Sequence, residues 1–110
     1  MRIEALKYRT EDNMDIIIVV DVLDQQSTEQ PILFRIGDIR YKNSRKRNYE
    51  SLMGKIRDDY GYRKLDRSGR EKYVMQKFIE FVKEDILKQA IINAYDICKP
   101  DVTKIDVNAY

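Results

Sequence analysis

The 110-residue chain has no histidine, no tryptophan, one cysteine, two prolines and four glycines. Each shortage excludes something. Without histidine the chain lacks the commonest general base at neutral pH and the commonest zinc ligand. Cys98 stands alone, so neither a Cys-His or Ser-His-Asp arrangement nor a structural zinc site can be assembled. A single cysteine also forbids an intrachain disulfide, which suits an intracellular, cytoplasmic setting. There is no glycine-rich dinucleotide loop. The longest apolar run is Ile16 to Val20, far short of a bilayer span. The first residues, MRIEALKYR, lack the apolar core and small-residue cleavage site of a leader. Asp58, Asp59 and Asp66 do not have calcium-loop spacing. No catalytic residue, metal ligand or cofactor is assigned, and no membrane association is expected.

What is present in quantity is charge. Lys and Arg number 21 and Asp and Glu 19, for a net +2. The excess is uneven. Residues 1–34 carry 3 basic and 7 acidic side chains, residues 35–72 carry 13 and 6, and residues 73–110 carry 5 and 6. Positive charge is thus concentrated in the middle third, a distribution that speaks to partners rather than to fold. Five of the eight tyrosines (Tyr41, Tyr49, Tyr60, Tyr62 and Tyr73) lie in or beside that third. Tyrosine beside arginine is common on nucleic-acid and protein contact surfaces.

The hydrophobic pattern predicts one α+β domain over residues 1–110. Residues 1–42 read as a small antiparallel sheet of three or four strands. Ile3 to Thr10 is a strand of imperfect alternation. Asp15 to Leu23 is β-branched and apolar on both faces at its start, which suits a central strand covered on at least one side. Residues 24–31 read as a loop, and Ile32, Phe34 and Ile36 alternate onto one face. Gly37-Asp38 fits either a hairpin turn or a bulge in one longer strand, and the hairpin is favoured. Two helices follow. The first is placed at about 45–60, where Tyr49, Leu52, Met53, Ile56 and Tyr60 form a stripe, with Ser44 or Asn48 as N-cap and Gly61 as its C-terminal stop. The second is placed at about 69–98, opened by a Ser68/Glu71 capping box. Thirty helical residues span about 45 Å, more than a compact domain of this size accommodates, so the helix either breaks, near 83–85, or projects and needs a partner. Residues 101–110 read as an edge strand or a loosely held terminus.

Arg45, Lys46 and Arg47 would then sit at a helix start, where the dipole disfavours cations unless an anion joins them; the alternative is that they are solvated or paired with an acidic segment such as Thr10 to Asp12. The expected function is therefore non-enzymatic binding. The leading expectation is an accessory protein of prokaryotic or phage type that contacts nucleic acid or another anion through Arg40, Lys42, Arg45, Lys46, Arg47, Arg63, Lys64, Arg67 and Arg70. Lys, Ile, Asp and Asn usage suits an AT-rich genome. The alternative is a homodimeric protein-interaction or inhibitor module that uses the apolar end of the second helix through Leu87, Ile91, Ile92 and Tyr95.

Overall fold

The computed structural model describes residues 1–23 and 33–98. The expected loop at 24–31 and the expected C-terminal edge strand lie outside the described residues. The architecture is α+β. Strands β1 (Arg2–Arg9), β2 (Met14–Val22), β3 (Phe34–Asn43) and β4 (Glu50–Ser51) form an antiparallel meander in the order β1-β2-β3-β4. Helices α1 (Leu52–Arg57), α2 (Tyr60–Arg63), α3 (Arg67–Phe81) and α4 (Glu84–Cys98) follow.

Two bulges reconcile the sheet with its hydrophobic pattern. A regular strand alternates faces, so Ile36 and Ile39 should point opposite ways. Both are core residues. Gly37 has no register partner in β2, because Val20 pairs with Ile36 and Val19 with Asp38. The extra residue shifts the parity, and Phe34, Ile36, Ile39 and Tyr41 all reach the core face. The expected hairpin at Gly37-Asp38 is therefore a bulge within one ten-residue strand. β1 carries a second irregularity, between Glu4 and Leu6. It explains that strand's imperfect alternation and brings Ile3, Ala5, Leu6 and Tyr8 to the core.

The expected helix at 45–60 is not formed as one element. β3 continues to Asn43, whose carboxamide oxygen accepts from the Arg45 backbone N–H at 3.0 Å and sets a turn. The chain then returns as β4, and α1 begins only after Ser51, the actual N-cap, whose hydroxyl oxygen accepts from Gly54 N–H. The long-range organiser is Asp38. Its buried carboxylate accepts from Ile39 N–H at 2.8 Å, the Ser51 hydroxyl at 2.6 Å and Met53 N–H at 2.9 Å. Those donors satisfy its charge and fix the start of α1 against the bulge. Asp59 then caps α2 through Gly61 N–H, so Gly61 lies inside a helix rather than ending one. Of the expected stripe, Ile56 is buried and Leu52 and Met53 are half-buried against the core, while Tyr49 and Tyr60 are exposed.

The long helical segment breaks, as expected from its length. Val82 is extended and buried, and α4 restarts with Glu84 and Asp85 in its first turn, where acidic groups complement the dipole. At the other end α3 begins at Arg67. Its N-cap is Asp66, which accepts from Gly69 N–H at 2.8 Å, and Ser68 falls inside the first turn instead of capping it. α4 lies across β1, β2 and β3. Asn93 also donates to the Ala5 carbonyl at 2.9 Å. Phe78, Val82, Leu87, Ala90 and Ala94 join the strands in one buried cluster.

Candidate nucleic-acid interface

The face of the sheet turned away from α4 is built from the alternate residues of three strands. Register places them in rows. Asp21 lies between Arg2 and Arg35, Val19 between Glu4 and Asp38, Ile17 between Lys7 and Arg40, and Asp15 between Arg9 and Lys42. Among the described residues this face thus carries six cations and four carboxylates. Asp38 is taken up by Ser51 and Met53. Each of the other three carboxylates is held by two cations. Arg2 Nε donates to Asp21 at 2.7 Å and Arg35 approaches it at 3.8 Å. Lys7 and Arg40 approach Glu4 at 3.2 and 3.7 Å. Arg9 Nε and Lys42 Nζ donate to Asp15 at 2.7 and 3.1 Å.

The electrostatics follow from that geometry. The hydrogen bonds from Arg9 and Lys42 hold the Asp15 carboxyl below the ordinary aspartate range. The hydrogen bond from Arg2 does the same for Asp21, against a smaller opposing cost of burial. The partner guanidiniums of Arg2 and Arg9 are pushed further up. Among the described residues, six cations on this face stand against four carboxylates.

One corner of this face carries an aromatic ring. Tyr49 is 39% exposed, and Lys42 Nζ lies 5.3 Å from its ring centre. With Lys7, Arg9 and Asp15 it bounds a shallow hollow. Immediately before it, on the turn after β3, are Arg45, Lys46 and Arg47. All three are exposed, and none has a side-chain partner among the described residues. They stand on a turn and not at a helix start, so the dipole penalty expected for them does not arise.

The remaining expected basic residues lie elsewhere. Arg70 is half-buried, stacks over the Tyr62 ring at 4.9 Å and donates to the carbonyls of Tyr62 and Arg63 at 3.3 and 2.8 Å. That is a structural role, closing the end of α2. Arg63 donates to the Arg57 carbonyl and pairs loosely with Asp58. Lys64 and Arg67 are exposed. This second group is on α2 and α3, and Arg67 and Arg70 border a cleft that includes Arg35. Arg35 and Asn43 mark opposite ends of β3, about 25 Å apart at ~3.3 Å per residue. The nine expected cations thus fall into two groups rather than one patch. The structure adds Arg2, Lys7, Arg9 and Arg35 to the first. The polar residues between the apolar positions of β1 were the available signal, obscured by the irregularity around Ala5.

Of the residues expected at an interface, Leu87 is buried in the core and Ile91 packs partly against it. Both are explained by the fold's own packing. Ile92 and Tyr95 are 52% and 50% exposed, and Tyr95 meets Phe34 edge-on at 6.2 Å.

Among the described residues, no three His, Cys, Asp or Glu groups converge as a metal site, and no helix is long and apolar enough to cross a membrane. No family profile, curated protein or solved structure matches this chain.

Proposed function

We propose that the protein is a non-catalytic nucleic-acid-binding protein that holds the phosphate backbone on the outer face of its sheet. The observation that carries this reading is the excess of six cations over four carboxylates there. That surplus, and the three cations on the adjoining turn that have no side-chain partner among the described residues, are what a polyanion uses. Contacts of this kind position a strand without reading its sequence. Tyr49 adds a surface on which a base can stack, worth roughly 1–3 kcal/mol for a single strand.

The test is fluorescence anisotropy with a labelled oligonucleotide over a series of salt concentrations. Binding is expected to weaken linearly in logarithmic coordinates. Replacing Arg45, Lys46 and Arg47 together by Gln is expected to reduce the slope by about 2–3, at ~0.7–0.9 per lost contact. No binding at low salt removes the reading.

A second reading, a homodimer, rests on Ile92 and Tyr95, which lie one turn apart on α4 and are half exposed. Sedimentation of the wild-type chain and of Ile92→Asp decides it. A wild-type dimer that the substitution converts to a monomer supports this reading, and a wild-type monomer at high micromolar concentration removes it.

A further inference from the structure

A cleft of about 900 Å³ opens at the other end of β3, between that strand and the helices α1 to α3. Its first wall is the strand itself, through Arg35, Ile36 and Gly37. Gly37 has no side chain, so it lines the cleft with backbone. β4 pairs only with Arg40 and Tyr41, so residues 34–38 have no strand beside them on that side among the described residues. An unpaired edge is a template for another extended chain. The floor is apolar, formed by Ile36, Met53, Val74 and Phe78, and Met75 is exposed at its side. The rim is cationic. Among the described residues, five arginines border the cleft against three carboxylates. Asp21 is held by Arg2 and Arg35, and Asp66 is committed to Gly69. Arg57 and Arg67 have no side-chain partner among the described residues and are exposed.

We infer that this cleft is a docking site for an extended acidic peptide, which adds to the open edge of β3. Its backbone pairs with residues 34–38. Alternate apolar side chains enter the cleft, and acidic ones meet Arg57 and Arg67 at the rim. Each wall contributes what strand addition requires, which is main-chain hydrogen bonding for affinity and spaced pockets for side-chain choice. A compact anion would use the arginines but not the strand edge. A basic or neutral chain would use the edge but not the rim.

The test uses three fluorescein-labelled heptapeptides. One alternates glutamate and valine, the second alternates lysine and valine, and the third repeats the first with alternate backbone nitrogens methylated so that one edge cannot donate. Both methylation phases are made. Anisotropy is measured with the full chain, the double variant Arg57→Glu/Arg67→Glu, and a control, Lys72→Glu, on the exposed surface of α3. The acidic peptide is expected to bind at least tenfold tighter than the basic one. One methylation phase is expected to lose at least tenfold and the other little. The double variant is expected to lose at least tenfold, and the control less than twofold. Circular dichroism establishes that both variants keep the wild-type fold. Failure of the acidic peptide to bind overturns the proposal, and is also the result if the chain's own residues fill the cleft. Binding indifferent to both methylation phases shows attraction without strand addition and overturns it equally. Arg2, Arg35 and Asp21 border both the cleft and the outer face, whereas Arg57 and Arg67 belong to the cleft alone, so the double variant separates this proposal from binding on the outer face.

Discussion

The two faces of the sheet bury apolar residues by different means. On one, Ile16, Ile18 and Val20 of β2 pack against the helices. On the other, Ile17 and Val19 are 5% and 0% exposed but stand outside the core cluster that the helices join. Their neighbours in register are Lys7 and Arg40 beside Ile17, and Glu4 and Asp38 beside Val19. Long charged side chains such as those of Lys7 and Arg40 can lay their hydrocarbon stems along an apolar neighbour and keep their charged ends in water. The run IIIVV is thus divided between two environments, one shared with the helices and one bordered by charged side chains of the sheet.

The comparison can be broken most forcefully by the same deletion on each face. Ile18→Ala removes a fully buried side chain from a rigid environment and is expected to cost roughly 3–5 kcal/mol. Ile17→Ala removes the same atoms from beneath flexible stems that can settle into the gap, and is expected to cost roughly 1–2 kcal/mol. Urea denaturation measures both. Equal costs would mean that the outer face is packed as tightly as the inner one.

Gly37→Ala probes the junction of the faces. A Cβ there would run into the Asp21 carboxylate, inside any tolerable contact. Asp21 must then move away from Arg2 and Arg35, or the bulge must shift. Overpacking of this kind costs roughly 1–3 kcal/mol. Asp21→Ala in the same chain is expected to recover part of the loss, which a double-mutant cycle by urea denaturation reads directly. An additive cycle would show that the clash is not what hurts.

The smallest effect is that of pH. Asp15 and Asp21 have folded-state pKa values below their unfolded ones. Their contribution to stability is therefore fully present above the unfolded value of ~3.9 and is lost as pH falls through the depressed folded values. The stability of Asp15→Asn/Asp21→Asn should fall less steeply below pH 4 than that of the wild type. Parallel profiles would mean that these carboxylates are not held as the geometry implies.

How much of this was legible beforehand varied with range. β2 was readable because its composition alone states a central strand. The break before α4 was readable because a helix of that length outruns the domain. The bulge at Gly37 was not, because turn and bulge share the same local residues; only the need to bring Ile36 and Ile39 to one face separates them. The apparent helix at 45–60 misled for a related reason. Tyr49, Leu52, Met53 and Ile56 do fall at helical spacing, but Asp38 fixes the helix start from thirteen residues away, at Ser51. Tyr49 consequently belongs to the outer face. The candidate site was half legible. Arg40, Lys42 and Arg45 to Arg47 stand out by charge density, whereas Arg2, Lys7, Arg9 and Arg35 join them only once strand register is known. Arg70 was picked out by the same density and turned out to be occupied with carbonyl groups.

The central claim is that the outer face holds cations beyond what its own carboxylates use. Glu4→Gln tests it most directly, because removing that carboxylate frees Lys7 and Arg40 without removing a cation. Oligonucleotide binding to Glu4→Gln, to Arg40→Gln and to the wild type would be compared by anisotropy across salt concentrations. The account predicts tighter binding and a steeper salt dependence for Glu4→Gln, and weaker binding with a shallower dependence for Arg40→Gln. If neither substitution changes the affinity, or if both weaken it alike, the charges on this face serve only to close the sheet and the account is contradicted.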